Sequence, residues 1–323
     1  MPERYDKNFP PKKNFKRVLR LLLVTLKLPV NNSKRLLLQM INNYSIKAVL
    51  WLLFQGITCV LFAQENLSAM TYNIRYDSPN DGLDQWDYRK KILTDQIQFY
   101  DPDVIGIQEG LFHQIEYIKD ALNNYEYLGV GRDDGGKKGE YCALFYKKEI
   151  LTPKQTGTFW LSKTPKIPSK DWDAALPRIC TYAHFSTSKN EFWVFNTHFD
   201  HLGKTARLAS SELILNEMAR INKQNHPSIL MGDFNALEQE PPIQWITQQY
   251  LDSRYSTRHF FGGTSTFNGF NIAPEENRRI DFIFHNEQLI STKTAIISQL
   301  IEQHYPSDHF PVISYFIFNE SKK

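Results

Sequence analysis

The sequence predicts an α/β fold in which helices cover a mixed β-sheet. Short apolar runs bounded by turn residues alternate with helical stretches, which is the pattern of a helix-covered sheet. Several strand-like runs follow one another directly, which excludes a purely parallel winding. At 41% hydrophobic and 14% aromatic content, the chain can fill a sizeable core.

The first 64 residues read as an extension that ends in an export signal. Ile46-Lys47 precedes an apolar run from Ala48 to Ala63, broken only by Gln55, Gly56 and Thr58, and Ala63 stands before Gln64-Glu65. A basic start, an apolar middle and a small residue in that order predict cleavage near Ala63 and an exported protein. The alternative is a membrane anchor over residues 48–63, short against the roughly 20 residues a span needs. Met40 is an alternative start to Met1. Residues 65–323 are expected to form one domain and to be monomeric, with no stable protein partner. They hold 27 of the 38 basic and 33 of the 35 acidic side chains, a net charge of −6. That balance argues against tight non-specific binding to nucleic-acid backbones. Cys142 and Cys180 fall in strand-like runs and are expected to be buried free thiols, with a disulfide between them the alternative that export permits.

Residues 67–74 predict a strand running into Asn73-Ile74-Arg75-Tyr76-Asp77, followed by the turn Ser78-Pro79-Asn80-Asp81-Gly82. Residues 88–99 predict a helix, which Asp101-Pro102-Asp103 ends. Val104-Ile105-Gly106-Ile107-Gln108-Glu109 is a short buried strand with a carboxylate at its end. A helix over 114–122 and strands over 125–130 and 141–146 come next. The latter two bracket the loop 131–139, too polar for core. Strands over 156–161 and 179–185 flank the loop 163–178, and the strand over 191–198 ends in Asn196-Thr197-His198. Residues 204–222 predict a long helix whose apolar residues spread around the axis, as for a helix covered on more than one side. Ile229-Leu230-Met231 is a buried strand that Gly232 ends by a tight bend, delivering Asp233-Phe234-Asn235. A short helix over 243–249, a Gly/aromatic loop over 264–270, and strands over 280–284 and 312–318 complete the chain.

The polar residues at these strand ends recur as a type: Asn73, Glu109, His198, Asp233, Asn235, Asp281, Asp308 and His309. Hard divalent cations favour carboxylate and amide oxygens. Phosphoester hydrolysis needs charge neutralised at phosphorus, an aligned water and a proton donor. Glu109 and Asp308 suit a metal, Asp233 and Asn235 suit an oriented water, and His198 and His309 suit charge stabilisation or proton transfer. Asp281 suits a carboxylate that fixes the His309 tautomer.

With Gln108-Glu109, Asn196-Thr197-His198, Gly232-Asp233-Phe234-Asn235, Arg279-Ile280-Asp281 and Ser307-Asp308-His309 following Asn73 in order, the chain resembles the endonuclease/exonuclease/phosphatase (DNase I-like) superfamily over about residues 67–318. It looks similar to exported bacterial members, which resemble the deadenylase-like branch. The resemblance implies a four-layer α/β sandwich of two mixed β-sheets flanked by helices. It implies metal-dependent phosphoester hydrolysis, usually with Mg²⁺ and with Mn²⁺ as an alternative. Carried over, Glu109 is the main metal ligand with Asn73 and Asp308 nearby. Asp233 and Asn235 align water and phosphate, His198 and His309 are the catalytic imidazoles, and Asp281 supports His309.

Two residues after Asn73, where some DNA-repair members carry a second metal carboxylate, stands Arg75. That counts against the repair subgroup and makes Arg75 a phosphate contact. Arg178 reads either as a bidentate phosphate clamp or as a surface ion pair. Asp77 and Asp81 read as turn formers. Asp200 and His201 read as loop caps or substrate contacts, and the loop from Arg132 to Lys138 as a hairpin tip or a substrate loop. The expected substrate is a phosphoester of a nucleotide or nucleic acid. Small or lipid phosphomonoesters are the alternative, and a non-catalytic binding module of the same fold is the rival.

Overall fold

The computed structural model describes residues 65–322, and the expected export signal lies outside the described residues. Two mixed sheets face each other. The first has seven strands in the order β10-β12-β13-β1-β2-β4-β3, and the second has six in the order β5-β6-β7-β8-β11-β9. In the first sheet β1 is Asn66–Asn73, β2 Val104–Gly110, β3 Tyr125–Leu128, β4 Tyr141–Lys147, β10 His259–Phe261, β12 Leu289–Ile296 and β13 Val312–Phe318. In the second β5 is Thr152–Trp160, β6 Ile179–Ser186, β7 Glu191–His198, β8 Ser228–Asp233, β9 Leu251–Asp252 and β11 Asp281–His285. Among the described residues five α-helices accompany them: α1 Trp86–Tyr100, α2 Phe112–Ala121, α3 Lys204–Ile221, α4 Pro241–Ile246 and the single turn α5 Ser253–Ser256. Among the described residues no helix is long and apolar enough to cross a membrane.

The apolar runs are continuous because both faces of each central strand are covered. Ala69, Val104, Leu144, Val194, Ile229, Met231 and Ile283 fill the space between the sheets. One residue along, Met70, Ile105 and Phe145 face outward and pack with Leu93 and Ile97 of α1 and Ile115 and Ile118 of α2. Phe195, Leu230 and Phe282 pack outward with Ile214, Leu215 and Met218 of α3 and Ile243 of α4. The result is the expected four-layer sandwich, helix on sheet on sheet on helix.

The structure departs from the sequence reading in several places, among them the short β9, α5 and β10 between residues 251 and 261, where no element was expected. Helix α3 is buried along one stripe, not on several sides. That stripe holds Ala206, Arg207, Ser210, Ser211, Ile214, Leu215 and Met218, and its small and polar members are invisible to an apolar count. Gly232 lies inside β8 and does not end it. Its φ is +151°, and a Cβ there would stand 2.0 Å from the Thr197 carbonyl oxygen, so glycine lets β7 and β8 approach. Arg132, at the base of the loop read as too polar for core, is buried. Strand β12 was not expected, because Ser291, Thr292, Lys293 and Thr294 mask its alternation. Cys142 and Cys180 are buried free thiols.

Candidate active site at the joined strand ends

Two parallel pairings bring the polar strand ends together. In the first sheet β1 runs beside β2 with Asn73 opposite Gln108, and in the second β7 runs beside β8 with His198 opposite Asp233. β11 enters antiparallel, with Asp281 opposite Asp233. The loop leading into β13 supplies Asp308 and His309. Each sheet therefore contributes half of one cluster. The backbone is bent hard here. Arg75, Glu109 and Asn235 have φ of 57°, 63° and 46°, a region that non-glycine residues occupy uncommonly. At Glu109 the pairing of β2 with β4 is also interrupted between Ile107 and Gly110. Such a bulge re-aims a side chain.

Asn73 ties the halves together. Its Nδ2 donates to Glu109 Oε1 at 3.1 Å and to Asp233 Oδ2 at 3.0 Å, and its Oδ1 accepts from the Arg75 N–H at 3.0 Å. Glu109 Oε2 accepts from the Tyr76 N–H at 3.1 Å. Asp233 Oδ1 accepts from the Asn235 N–H at 2.9 Å. The Nε2 atoms of His198 and His309 lie 3.4 and 3.8 Å from Asp233 Oδ2. His309 Nδ1 donates to Asp281 Oδ2 at 2.9 Å, and Phe267 stands edge-on to its ring at 5.0 Å.

Electrostatics follow from burial and like charge. Burial, with Asp281 beside it, raises the Asp233 carboxyl to about 7. Burial raises Asp308 to about 6, and the charge of Glu109 adds to the effect. For His309 burial opposes protonation, but the Asp281 carboxylate outweighs it and lifts the ring to about 10. His198 moves the other way. Burial, then the neighbouring Arg178, lowers its pKa well below the ordinary imidazole value. An arginine N–H only donates, so His198 Nδ1, 3.0 Å from Arg178 Nη1, is the acceptor. With Nδ1 accepting, the neutral ring carries its proton on Nε2, which faces Asp233 Oδ2 and also lies 3.1 Å from Asn235 Nδ2.

All ten residues singled out from the sequence lie in or against this cluster. Eight form its interior, and the two arginines frame it. Arg75 donates from Nε and Nη2 to both oxygens of Asp81 at 3.0 and 2.9 Å, so Asp81 is an ion-pair partner and more than a turn former. Arg178 is buried, which excludes the surface ion pair. Its donors engage His198, His201 Nδ1 at 3.1 Å and Asp200 Oδ2 at 3.5 Å. Of the two readings of Asp200, the structure shows the loop cap, accepting from the N–H groups of Leu202, Gly203 and Leu176.

Three supporting groups were given no role of their own by the sequence reading. Arg89 of α1 is buried and donates to the carbonyls of Ile74 at 2.8 Å, Pro306 at 2.9 Å and Arg75 at 3.2 Å. It fastens the end of β1 to the Asp308 loop. Its only signal was a cation within the buried stripe of a helix. Glu140 holds Arg132 through both oxygens at 2.6 and 2.8 Å and lies 3.9 Å from Arg178 and from His198. Burial raises its carboxyl to about 7. Gln108 and Asn196 join the sheets between the cores. Gln108 Nε2 donates to Asn196 Oδ1 at 2.7 Å, and Asn196 Nδ2 donates to the carbonyls of Ile107 at 2.9 Å and Ala143 at 2.8 Å.

Two facing mixed sheets with acids, amides and imidazoles gathered at their strand ends define the DNase I-like class. Residues 70–309 match the Endonuclease/Exonuclease/phosphatase family, and the chain belongs to it. Among solved structures, a family protein from Bacteroides thetaiotaomicron is 35% identical with a TM-score of 0.77, over 80% of this chain and 100% of that one. A structure described as a mannosyl-6-phosphatase, from Bacteroides thetaiotaomicron VPI-5482, is 36% identical with a TM-score of 0.77, over 78% of this chain and 100% of that one. The CCR4-Not complex 3'-5'-exoribonuclease subunit Ccr4 of Mycosarcoma maydis is 22% identical over 80% of this chain, which spans 52% of that protein's length. The family thus includes both nucleases and phosphatases.

Proposed function

We propose that the chain hydrolyses phosphoester bonds with the help of a divalent cation. The observation that carries the proposal is the convergence of Glu109, Asp308, Asp233, His198 and the Asp281–His309 pair, spread from residue 109 to 309, into one cluster bridged by Asn73. The donor set fits a hard cation. Glu109 and Asp308 supply the carboxylates, and Asp308, costly to ionise beside Glu109 in a buried setting, gains a counter-charge. Asn73 orients Glu109. Mg²⁺ is the proposed ion, with Mn²⁺ as an alternative. When bound it neutralises phosphoryl oxygens and makes water a better nucleophile.

The protein's own groups divide the remaining work. Asp233, fixed by the Asn73 amide and the Asn235 N–H, receives the proton of the attacking water at Oδ2. The Nε2 atoms of His198 and His309 stand on the same side of that oxygen. His198 donates to a phosphoryl oxygen as charge develops, and His309, protonated at neutral pH, gives its Nε2 proton to the leaving oxygen as the phosphorus–oxygen bond breaks. Asp281 holds the His309 ring in the orientation this needs. Arg178 does the same for His198.

The favoured substrate is a small phosphomonoester, such as a sugar phosphate. Two observations support it: the likeness to the mannosyl-6-phosphatase structure over its whole length, and the net charge of −6 on residues 65–323, which does not attract a polyanion. RNA is the second reading, favoured by the likeness to Ccr4. The test is phosphate release from sugar phosphates and cleavage of single-stranded RNA, each with EDTA, with Mg²⁺ and with Mn²⁺. Release from sugar phosphates that EDTA abolishes and Mg²⁺ restores is expected. Hydrolysis of neither substrate would remove the proposal, and RNA cleavage alone would move it to the second reading.

A further inference from the structure

A second group of metal-binding side chains stands at the opposite ends of the same strands. β7 begins at Glu191 and ends at His198, and β8 begins two residues after His226 and ends at Asp233. At about 3.3 Å per residue the two groups are roughly 20 Å apart. On β6, His184 pairs with Trp193 and Ser186 pairs with Glu191. His184 and Glu191 are therefore diagonal neighbours on one face of the sheet. His226 reaches them from the turn before β8.

The His184 ring and the His226 backbone are held in place. His184 lies flat on Trp193, with centroids 4.4 Å apart and planes 6° apart. The His226 backbone is fixed by Asn222, which accepts from its N–H at 2.8 Å and donates to its carbonyl at 2.8 Å. Asn286 also donates to that carbonyl, at 3.0 Å. The ligand atoms form a small triangle. His184 Nε2 is 3.3 Å from His226 Nδ1 and 3.4 Å from Glu191 Oε2, and His226 Nδ1 is 3.8 Å from the same oxygen.

Those lengths are close to the edges of a coordination tetrahedron. Ligands about 2.0–2.1 Å from a zinc ion are about 3.3–3.4 Å from each other. A nitrogen–nitrogen separation of 3.3 Å is, by contrast, long for a hydrogen bond. The donor types also point to a cation unlike the one in the strand-end cluster. Two imidazoles and one carboxylate select zinc-like transition ions, whereas oxygen donors select Mg²⁺. A cavity of about 470 Å³, lined in part by Glu191, His226 and Gln288, adjoins the triangle. It leaves room for a fourth ligand.

We propose that His184, Glu191 and His226 form a second cation site, specific for a zinc-type divalent ion, whose fourth position opens on the adjoining cavity. The site is independent of the hydrolase reading.

The test uses full-length protein stripped of metal and held in excess Mg²⁺, titrated calorimetrically with Zn²⁺. The wild type is expected to bind one equivalent more than the His184→Ala/His226→Ala variant. The isosteric Glu191→Gln variant, which keeps the shape of the site, should bind that equivalent at least about tenfold more weakly. Co²⁺ held by His184 should quench the stacked Trp193, a change absent from Trp193→Phe. Phosphoester hydrolysis in Mg²⁺ should be unchanged in all three variants. Equal zinc stoichiometry and affinity in the wild type, the folded double variant and Glu191→Gln would overturn the proposal.

Discussion

Replacing Asp281 by asparagine tests whether His309 acts as an oriented, charge-supported imidazole. The Asp281 carboxylate meets His309 Nδ1 at 2.9 Å. Its other oxygen is buried without a hydrogen-bond partner, so its side-chain support of the ring passes through Oδ2 alone. The amide keeps the shape and removes the charge. A hydrogen bond to a charged group contributes about 1.5–3 kcal/mol, and about 1.4 kcal/mol is tenfold in rate. The kcat should therefore fall roughly 10- to 150-fold. KM should move much less, because Asp281 reaches the substrate only through His309. The same logic makes the two residues non-additive: Asp281→Asn in a His309→Ala background should slow the enzyme little further. Steady-state phosphate release gives kcat and KM, and a thermal melt confirms that each variant is folded. Turnover of Asp281→Asn within about threefold of wild type, or a double variant slowed by the product of the single effects, would refute the reasoning.

Other expectations follow from the surrounding structure. Arg89→Ala strands the buried carbonyls of Ile74 and Pro306 and should lower stability by about 3 kcal/mol, a fall in Tm of roughly 6–12 °C in a calorimetric scan. His198, whose pKa burial lowers well below the ordinary value, should show no ring titration by NMR between about pH 8 and 6. Its contribution to stability is complete above about pH 6.5 and declines as pH falls toward the folded pKa, because the unfolded chain then binds the proton first. His198→Gln should flatten that acid limb in denaturant titrations across pH. The proposed export signal predicts a mature protein beginning near Gln64, which intact-mass measurement of the exported form would check; a mass that includes residues 48–63 would favour the membrane anchor.

Much of the site was legible because its residues occupy the ends of short apolar strands. Ile229 to Met231 marks β8, and the polar residues that follow can only emerge at its end. The same reasoning placed Glu109 near the end of β2 and His198 at the end of β7. What escaped detection acts across the fold. Arg89 sits in a helix with no motif near it, and its partners, Ile74 and Pro306, are far apart in sequence. Glu140 follows a glycine- and lysine-rich loop whose exposed tip conceals its buried base. The one-sided burial of α3 escaped because Arg207, Ser210 and Ser211 do not register as apolar. Strand β12 escaped because threonine and lysine on a half-exposed strand read as loop.

The amide pair Gln108–Asn196 has a mechanical consequence. Gly106 lies beside it, and a Cβ at that position would stand 2.7 Å from Asn196 Oδ1 and 2.9 Å from the Met231 methyl. Nothing larger than hydrogen fits, so the two halves of the frame are pinned close together one residue pair below the reacting groups. Sliding of one half past the other would uncouple Glu109 from Asp233 and strand two interior amides in a dry gap. Adaptation to different substrates is therefore expected from exposed loop residues such as 133–138 and 163–170, which take no part in that pin.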